Sequence, residues 1–189
     1  GSTDRTVEVV KELQRLDHKI RLTSHAKNKG YGAAVKTGLK AATMDWIFFT
    51  DSDGQFHYDE LDKFVAASQS ADLVIGYRRK RMDPFHRVFV AQVLLKIWNF
   101  FLFGLTVRDV DCAYKLFKRE VRDSIKLETE SAITVTELLV KAKSLGYRIT
   151  QLPVTHYARK FGEQTGGNWR VIAKAANESF KLRRKIRHV

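Results

Sequence analysis

The chain has 189 residues, 44% of them hydrophobic and 29% charged, which is enough for one core and excludes a disordered chain. Thirty-four Lys and Arg against 21 Asp and Glu leave a net charge of +13, a balance suited to an anionic partner: nucleic acid, an acidic membrane face or a phosphorylated substrate. Cys112 is the single cysteine, so a disulfide framework and a Cys-based zinc site are excluded and a reducing, cytosolic setting is expected.

The opening GSTDRT carries no apolar stretch of the signal-peptide kind. Residues 4–16 have helical spacing behind a Ser-Thr-Asp cap, and KIRLTS (19–24) reads as a strand. Residues 31–43 read as a helix with Gly30 and Gly32 at its mouth, and WIFFT (46–50) as a buried strand. A helix over 58–69 leads to a second buried strand, ADLVIG (71–76). Residues 87–103 form a long apolar helix, 112–117 a short strand, and 131–145 a further helix. YRITQLPVTHY (147–157) is strand-like, with Pro153 placing it at an edge or bend, and 168–187 is helical and basic. The alternation predicts an α/β layered domain with a largely parallel sheet.

In such sheets ligands bind beyond the carboxyl ends of strands. FFTDSDGQF (48–56) puts Asp51, Asp53 and Gln55 at that place. Hard cations such as Mg²⁺ and Mn²⁺ take oxygen ligands, commonly one or two carboxylates completed by phosphate and water. A bare Asp-x-Asp is equally an Asp/Gly turn that ends a strand. The loop Asn28-Lys-Gly30-Tyr-Gly32 is neither a dinucleotide fingerprint, since Val35 stands where a third glycine is needed, nor a phosphate loop of the Walker type. Its glycines serve either a tight turn or close approach of an anion to the helix.

YRRKRMDPFHR (77–87) sets five basic residues against one Asp, either as a solvated loop or as an anion contact. Asp109 and Asp111 in RDVDCAYKLF are either caps or chemistry, with Lys115 a candidate charge partner and Cys112 a small buried residue. FGEQTGGN, after Arg159 and Lys160, is a glycine-rich loop. In the apolar helix, Gln92, Lys96 and Asn99 fall on one narrow stripe at about 100° per residue. That helix is either buried on most sides or lies in a membrane interface, a reading supported by the basic tail KLRRKIRHV (181–189).

The run NKGYGAAVKTGLKAATMDWIFFTDSDGQF (28–56) resembles the nucleotide-sugar domain of family 2 glycosyltransferases, in particular the dolichyl-phosphate mannose synthase-like, polyprenyl-phosphate subgroup. DLVIGYR (72–78), RDVDCAYKLFKRE (108–120) and TELLVKAKSLGYRITQLPVTHYARKFGEQTG (136–166) follow in the family's order, and GSTDRT resembles the end of its DDGSTDGT motif. The resemblance implies a GT-A fold, a Rossmann-like nucleotide-diphospho-sugar transferase sheet flanked by helices, incomplete at its N-terminus. The family domain would cover 1–167 and a basic helix 168–189.

By the same resemblance Asp53 and Gln55 hold a Mg²⁺ or Mn²⁺ ion, with Asp51 beside them, and Asp51, Asp109 and Asp111 are active-site residues. Asn28, Gly30 and Gly32 line the donor pocket, and Gly38 serves helix packing. Arg78, Arg87 and Arg159 bind donor or lipid phosphate, the last from a flap that closes on the donor. Ala91 stands where those synthases carry a Ser that helps bind the acceptor phosphate. The implied reaction is metal-dependent, inverting transfer of a hexose from a nucleotide-diphosphate sugar to a polyprenyl phosphate or other lipid-linked acceptor. The implied setting is cytoplasmic, peripheral to an anionic membrane surface, without nucleic acid, and a homo-oligomer would follow from an open sheet edge. The rival readings are an inactive or donor-binding fragment and a basic nucleic-acid-binding domain.

Overall fold

The computed structural model describes residues 1–79, 95–158 and 169–186. Helix α1 (Thr6–Leu16) and helix α2 (Tyr31–Ala41) precede strand β1 (Trp46–Thr50). A 3₁₀ turn (Tyr58–Glu60) and α3 (Leu61–Ala67) lead to β2 (Leu73–Arg78). Then come α4 (Leu95–Phe103), β3 (Tyr114–Lys118), the short α5 (Arg119–Ser124), α6 (Ile133–Ser144), β4 (Ile149–Val154) and α7 (Trp169–Ile186).

Among the described residues the four strands form one sheet in the order β1-β3-β2-β4. It is mixed, not largely parallel: β3 runs antiparallel to both β1 and β2, and only β2 and β4 pair in parallel. An apolar run buried on both faces reads the same in either direction, so the alternation of elements left the orientation of β3 open. Three strands therefore point one way and β3 alone returns. Pro153 lies in β4, an edge strand, as its missing N–H requires.

The sheet has a core on each face. Leu73 and Ile75 of β2 and Phe117 of β3 pack on one side with Leu39 of α2 and Leu138 and Leu139 of α6. Val74 of β2 and Tyr114 and Leu116 of β3 face the other side, with Phe64 of α3 and Val154 of β4. The strict alternation of period two along β2 and β3 is what lets both faces be apolar.

KIRLTS (19–24) forms no strand. The described sheet ends at β1, and this segment is held by helices instead: Gln14 Nε2 donates to the Ile20 carbonyl (3.1 Å), and His25 and Thr37 join their side chains at 2.8 Å. The helix over 119–124 escaped the sequence reading because six residues are too few for a periodic signal. Residues 87–94 of the apolar helix lie outside the described residues. In α4, Lys96 is exposed but Asn99 is buried, with its Oδ1 lacking a hydrogen-bond partner. The expected polar stripe is thus split, and Ile97, Phe100 and Phe101 face outward.

Asp72, at the start of β2, ties the amino-terminal end of the sheet together. It accepts from Lys118 Nζ (2.7 Å) and from the backbone N–H (3.0 Å) and guanidinium of Arg148. The Arg148 and Lys118 hydrogen bonds hold its carboxyl well below the usual value of 3.8, outweighing the opposing effect of burial. A depressed carboxylate contributes stability above its unfolded value, and that contribution is lost as pH falls below it. Asp72→Asn is therefore expected to lower stability at pH 7 and to flatten the loss of stability below about pH 4, read from urea midpoints across pH.

The packing glycine of α2 is Gly32, not Gly38. A Cβ at Gly32 would lie 2.2 Å from Thr134 Oγ1 and 2.5 Å from the Glu130 carbonyl carbon, whereas a Cβ at Gly38 meets open space. Gly32→Ala is expected to cost roughly 1–3 kcal/mol through overpacking. Gly38→Ala is expected to stabilise by about 0.5–1 kcal/mol through helix propensity. Chemical denaturation of both variants checks the pair.

Candidate active site

The carboxyl ends of β1 and β2 and the amino-terminal end of the reversed strand β3 share one rim of the sheet. Thr50, the last residue of β1, is in register with Tyr114, the first of β3. The rim thus collects Asp51, Asp53 and Gln55 from beyond β1, Arg78 from the end of β2, and Asp109 and Asp111 from the turn before β3.

The 51–57 loop is fixed from two sides. Asp53 Oδ1 accepts the Gln55 backbone N–H (3.0 Å), a turn that Gly54 completes at φ +73°. Gln55 is buried, its Nε2 donates to the Tyr157 carbonyl (3.2 Å), and its own carbonyl accepts the Tyr157 N–H (3.0 Å). The rings of His57 and Tyr157 stack with centroids 4.2 Å apart. Because the Gln55 amide nitrogen is a donor to Tyr157, Oε1 is the side-chain atom with which Gln55 can ligate a cation.

Arg78 and Asp109 form a bidentate pair in which Nε and Nη2 donate to the two carboxylate oxygens at 2.6 and 2.7 Å. Both side chains are only 9% exposed. Burial opposes the guanidinium charge, but the Asp109 hydrogen bonds and charge outweigh it and raise the Arg78 pKa. Asp111, two residues on, is exposed. The two carboxylates are thus differently placed: Asp109 is bound to Arg78 and largely buried, whereas Asp111 is exposed.

Tyr31, at the first turn of α2, completes the group and is a residue that sequence reasoning missed. Its phenol is pushed well above its usual range, first by burial and then by Asp51, Asp111 and Asp53. The Tyr31 side chain is 42% exposed, and its phenol stays protonated in the field of the three carboxylates. Its place in Asn28-Lys-Gly30-Tyr-Gly32 was the available signal. Asn28 Oδ1 accepts the Gly30 N–H (2.8 Å), and Gly30, at φ +89°, turns the chain into α2 beside this group. Arg87 and Arg159, expected to bind phosphate, lie outside the described residues.

Among the described residues no three His, Cys, Asp or Glu side chains converge to hold a metal by themselves. Asp51, Asp53 and the Gln55 amide oxygen are still an oxygen donor set of the kind that Mg²⁺ or Mn²⁺ completes with phosphate and water.

A mixed sheet whose carboxyl rim carries an Asp-x-Asp-x-Gln loop, with Asp109 and Asp111 in the turn before the reversed strand, has the arrangement of a GT-A type domain. The chain matches glycosyl transferase family 2 over residues 1–125 and belongs to that family. An uncharacterized glycosyltransferase of Mycobacterium bovis is 32% identical over 146 residues, covering 75% of this chain and 64% of that protein. A counterpart from Mycobacterium tuberculosis matches equally. The chain thus spans about two-thirds of the length of these curated relatives. Among solved structures, glucosyl-3-phosphoglycerate synthase from Mycobacterium tuberculosis in complex with UDP superposes with a TM-score of 0.64 at 22% identity, covering 95% of this chain and 66% of that one. The same enzyme with Mn²⁺, UDP-glucose and phosphoglyceric acid gives 0.62 at 18% identity, with the same coverage. At these identities the likeness establishes the fold.

The unequal placement of the two aspartates predicts unequal costs. Asp109→Ala removes the bidentate partner of the largely buried Arg78 guanidinium and is expected to destabilise by roughly 1–3 kcal/mol. Asp111→Ala, at an exposed position, is expected to change stability by about 0.5 kcal/mol or less. Urea denaturation of the two variants checks the difference.

Proposed function

We propose that this chain carries the donor-binding and reacting face of a metal-dependent, inverting glycosyltransferase, which moves a hexose from a nucleotide-diphosphate sugar to a polyprenyl phosphate at a membrane surface. The observation that carries the reading is the shared rim at which Asp51, Asp53 and Gln55 follow β1 and Asp109 and Asp111 precede β3, fixed by the Thr50–Tyr114 register and the Arg78–Asp109 pair. Family membership supports sugar transfer.

In this reading Asp53 and Gln55 hold a Mg²⁺ or Mn²⁺ ion, with Asp51 beside them. The bound ion supplies charge neutralisation for the nucleoside diphosphate as it leaves. Asn28, Gly30 and Gly32 shape the mouth of α2 along the donor. Tyr31 donates a hydrogen bond to an oxygen of the bound donor. An acceptor phosphate oxygen attacks the anomeric carbon from the face opposite the diphosphate. The new C–O bond forms as the old one breaks, and the configuration inverts. A phosphate oxygen is already a nucleophile and needs no strong base, so Asp111 orients the acceptor, and Asp109 and Arg78 fix the turn that carries it. Arg87 and Arg159 belong to the same reading as phosphate contacts.

The lipid acceptor is supported by one face of the molecule. Ile97, Phe100 and Phe101 of α4 and Phe180 of α7 are each about half exposed or more, and Phe180 packs edge-on against Trp98 at 5.1 Å. Lys96, Lys181 and Arg184 are exposed on the same two helices. Aromatic side chains flanked by cations suit the interface of an anionic bilayer. Among the described residues no helix is long and apolar enough to cross a membrane, so the reading is peripheral attachment through α4 and the basic helix α7. A small phosphorylated acid is the second acceptor reading, favoured by the solved neighbour that carries phosphoglyceric acid.

Two measurements test the proposal. Asp53→Ala is expected to weaken Mn²⁺-dependent binding of UDP at least about tenfold in calorimetry, a loss of about 1.4 kcal/mol, with an unchanged fold. Undiminished binding removes Asp53 from the metal site. Phe100→Ser/Phe101→Ser and Lys181→Gln/Arg184→Gln are each expected to reduce co-sedimentation with phosphatidylserine vesicles while leaving UDP affinity intact. Transfer to 3-phosphoglycerate but not to vesicle-borne polyprenyl phosphate decides for the second reading.

A further inference from the structure

Lys115 is the second residue of β3, in register between Phe49 of β1 and Ile75 of β2, and is fully buried. Its side chain shares the face of Phe117, in the apolar core, where an amine has no water to bind. It has two backbone partners instead. Nζ donates to the Val110 carbonyl at 3.1 Å and to the Cys112 carbonyl. These are the residues on either side of Asp111.

The rest of the turn is held from other directions. Asp109 is paired with Arg78, and the Arg108 N–H donates to Gln151 Oε1 of β4 at 2.7 Å. Neither tie reaches the 110–112 carbonyls. The geometry points to Lys115 as a positioning residue: it clamps the two carbonyls that flank Asp111 and thereby aims that carboxylate at the rim.

The clamp does not depend on the charge of the amine. Burial lowers the Lys115 pKa, while Cys112, Asp109 and Asp111 act to raise it. An ammonium has three protons to donate and a neutral amine two, and two carbonyls are to be satisfied. The assignment of Asp111 to the reaction rests on the function proposed above. The clamp does not, and its test is read without turnover.

Cys112 is the single thiol of the chain and lies inside the clamped turn, so it reports on it directly. Burial pushes its pKa up to about 12 and leaves little thiolate for reaction. In the intact chain, labelling by a disulfide reagent such as dithionitrobenzoate is expected to be slow. Lys115→Met keeps the aliphatic stem and removes both donations. It is expected to label at least about tenfold faster, through local opening with little dependence on denaturant, while circular dichroism and the melting transition show a folded protein. Lys115→Arg retains donors and is expected to label within about threefold of wild type. A folded Met variant that labels at the wild-type rate, or an Arg variant that labels as fast as Met, overturns the clamp.

If Lys115→Met does not fold, Lys115→Gln is read in the same way, since its amide can serve only part of the pair. Intermediate labelling supports the clamp, and wild-type labelling in a folded Gln variant overturns it. A turnover arm separates the two readings. Faster labelling with a fall in kcat of about tenfold and unchanged UDP affinity supports both. Faster labelling with unchanged kcat keeps the clamp and overturns the role of Asp111.

Discussion

Everything at the rim depends on the reversal of β3. Had β3 run parallel to β1 and β2, the turn before it would lie at the opposite end of the sheet, a full strand length away. Because it returns antiparallel between them, its entry meets their exits, and Thr50 and Tyr114 stand opposite each other. Residues about 60 apart in sequence thus come together without a long loop crossing the sheet. The sequence makes this arrangement stable by burying β3 on both faces, with Phe117 toward one core and Tyr114 and Leu116 toward the other. A central strand of this kind cannot slip in register without turning both sets of side chains into the wrong core.

The reversal crowds four carboxylates at one end of the sheet, and the structure divides them by environment. Asp109 is neutralised in place by a buried guanidinium. Asp51, Asp53 and Asp111 all act on the Tyr31 phenol through their charge. A cluster of carboxylates disfavours an anionic substrate at short range. A divalent cation resolves the conflict, because it reverses the sign of the field where a diphosphate must sit. That is the physical reason for reading the acidic rim and the basic chain together as one donor site.

Much of this was legible in the sequence, and what was not has identifiable causes. WIFFT and DLVIG declared themselves as strands through uninterrupted apolar runs, and the Asp-x-Asp-x-Gln loop followed the first of them directly. The direction of β3 was invisible, since period-two patterning has no polarity. KIRLTS has the alternation of a strand, but alternation cannot supply a neighbour. Gly32 and Gly38 look alike as letters, and only the approach of Glu130 and Thr134 tells them apart. The pairing of Arg78 with Asp109 spans 31 positions and depends on the reversal, so no local pattern announces it. Tyr31 was overlooked because an aromatic at a helix mouth more often packs than binds.

The basic C-terminal helix is not an appendage hung on this frame. Its inner face, with Ser179 and Leu182 buried, carries Glu178, which accepts from the Ser131 hydroxyl at 2.7 Å and from the Ser131 and Glu130 backbone N–H groups. Lys185 adds a bond to Glu128 at 2.8 Å. The same 128–131 segment receives the buried Glu137 carboxylate and abuts Gly32 at the mouth of α2. The surface that bears Phe180, Lys181 and Arg184 and the mouth of α2 are therefore joined through a single short segment. A carboxylate that accepts three hydrogen bonds holds its partners in direction as well as distance. The position of α7 and the mouth of α2 are for this reason linked through residues 128–131.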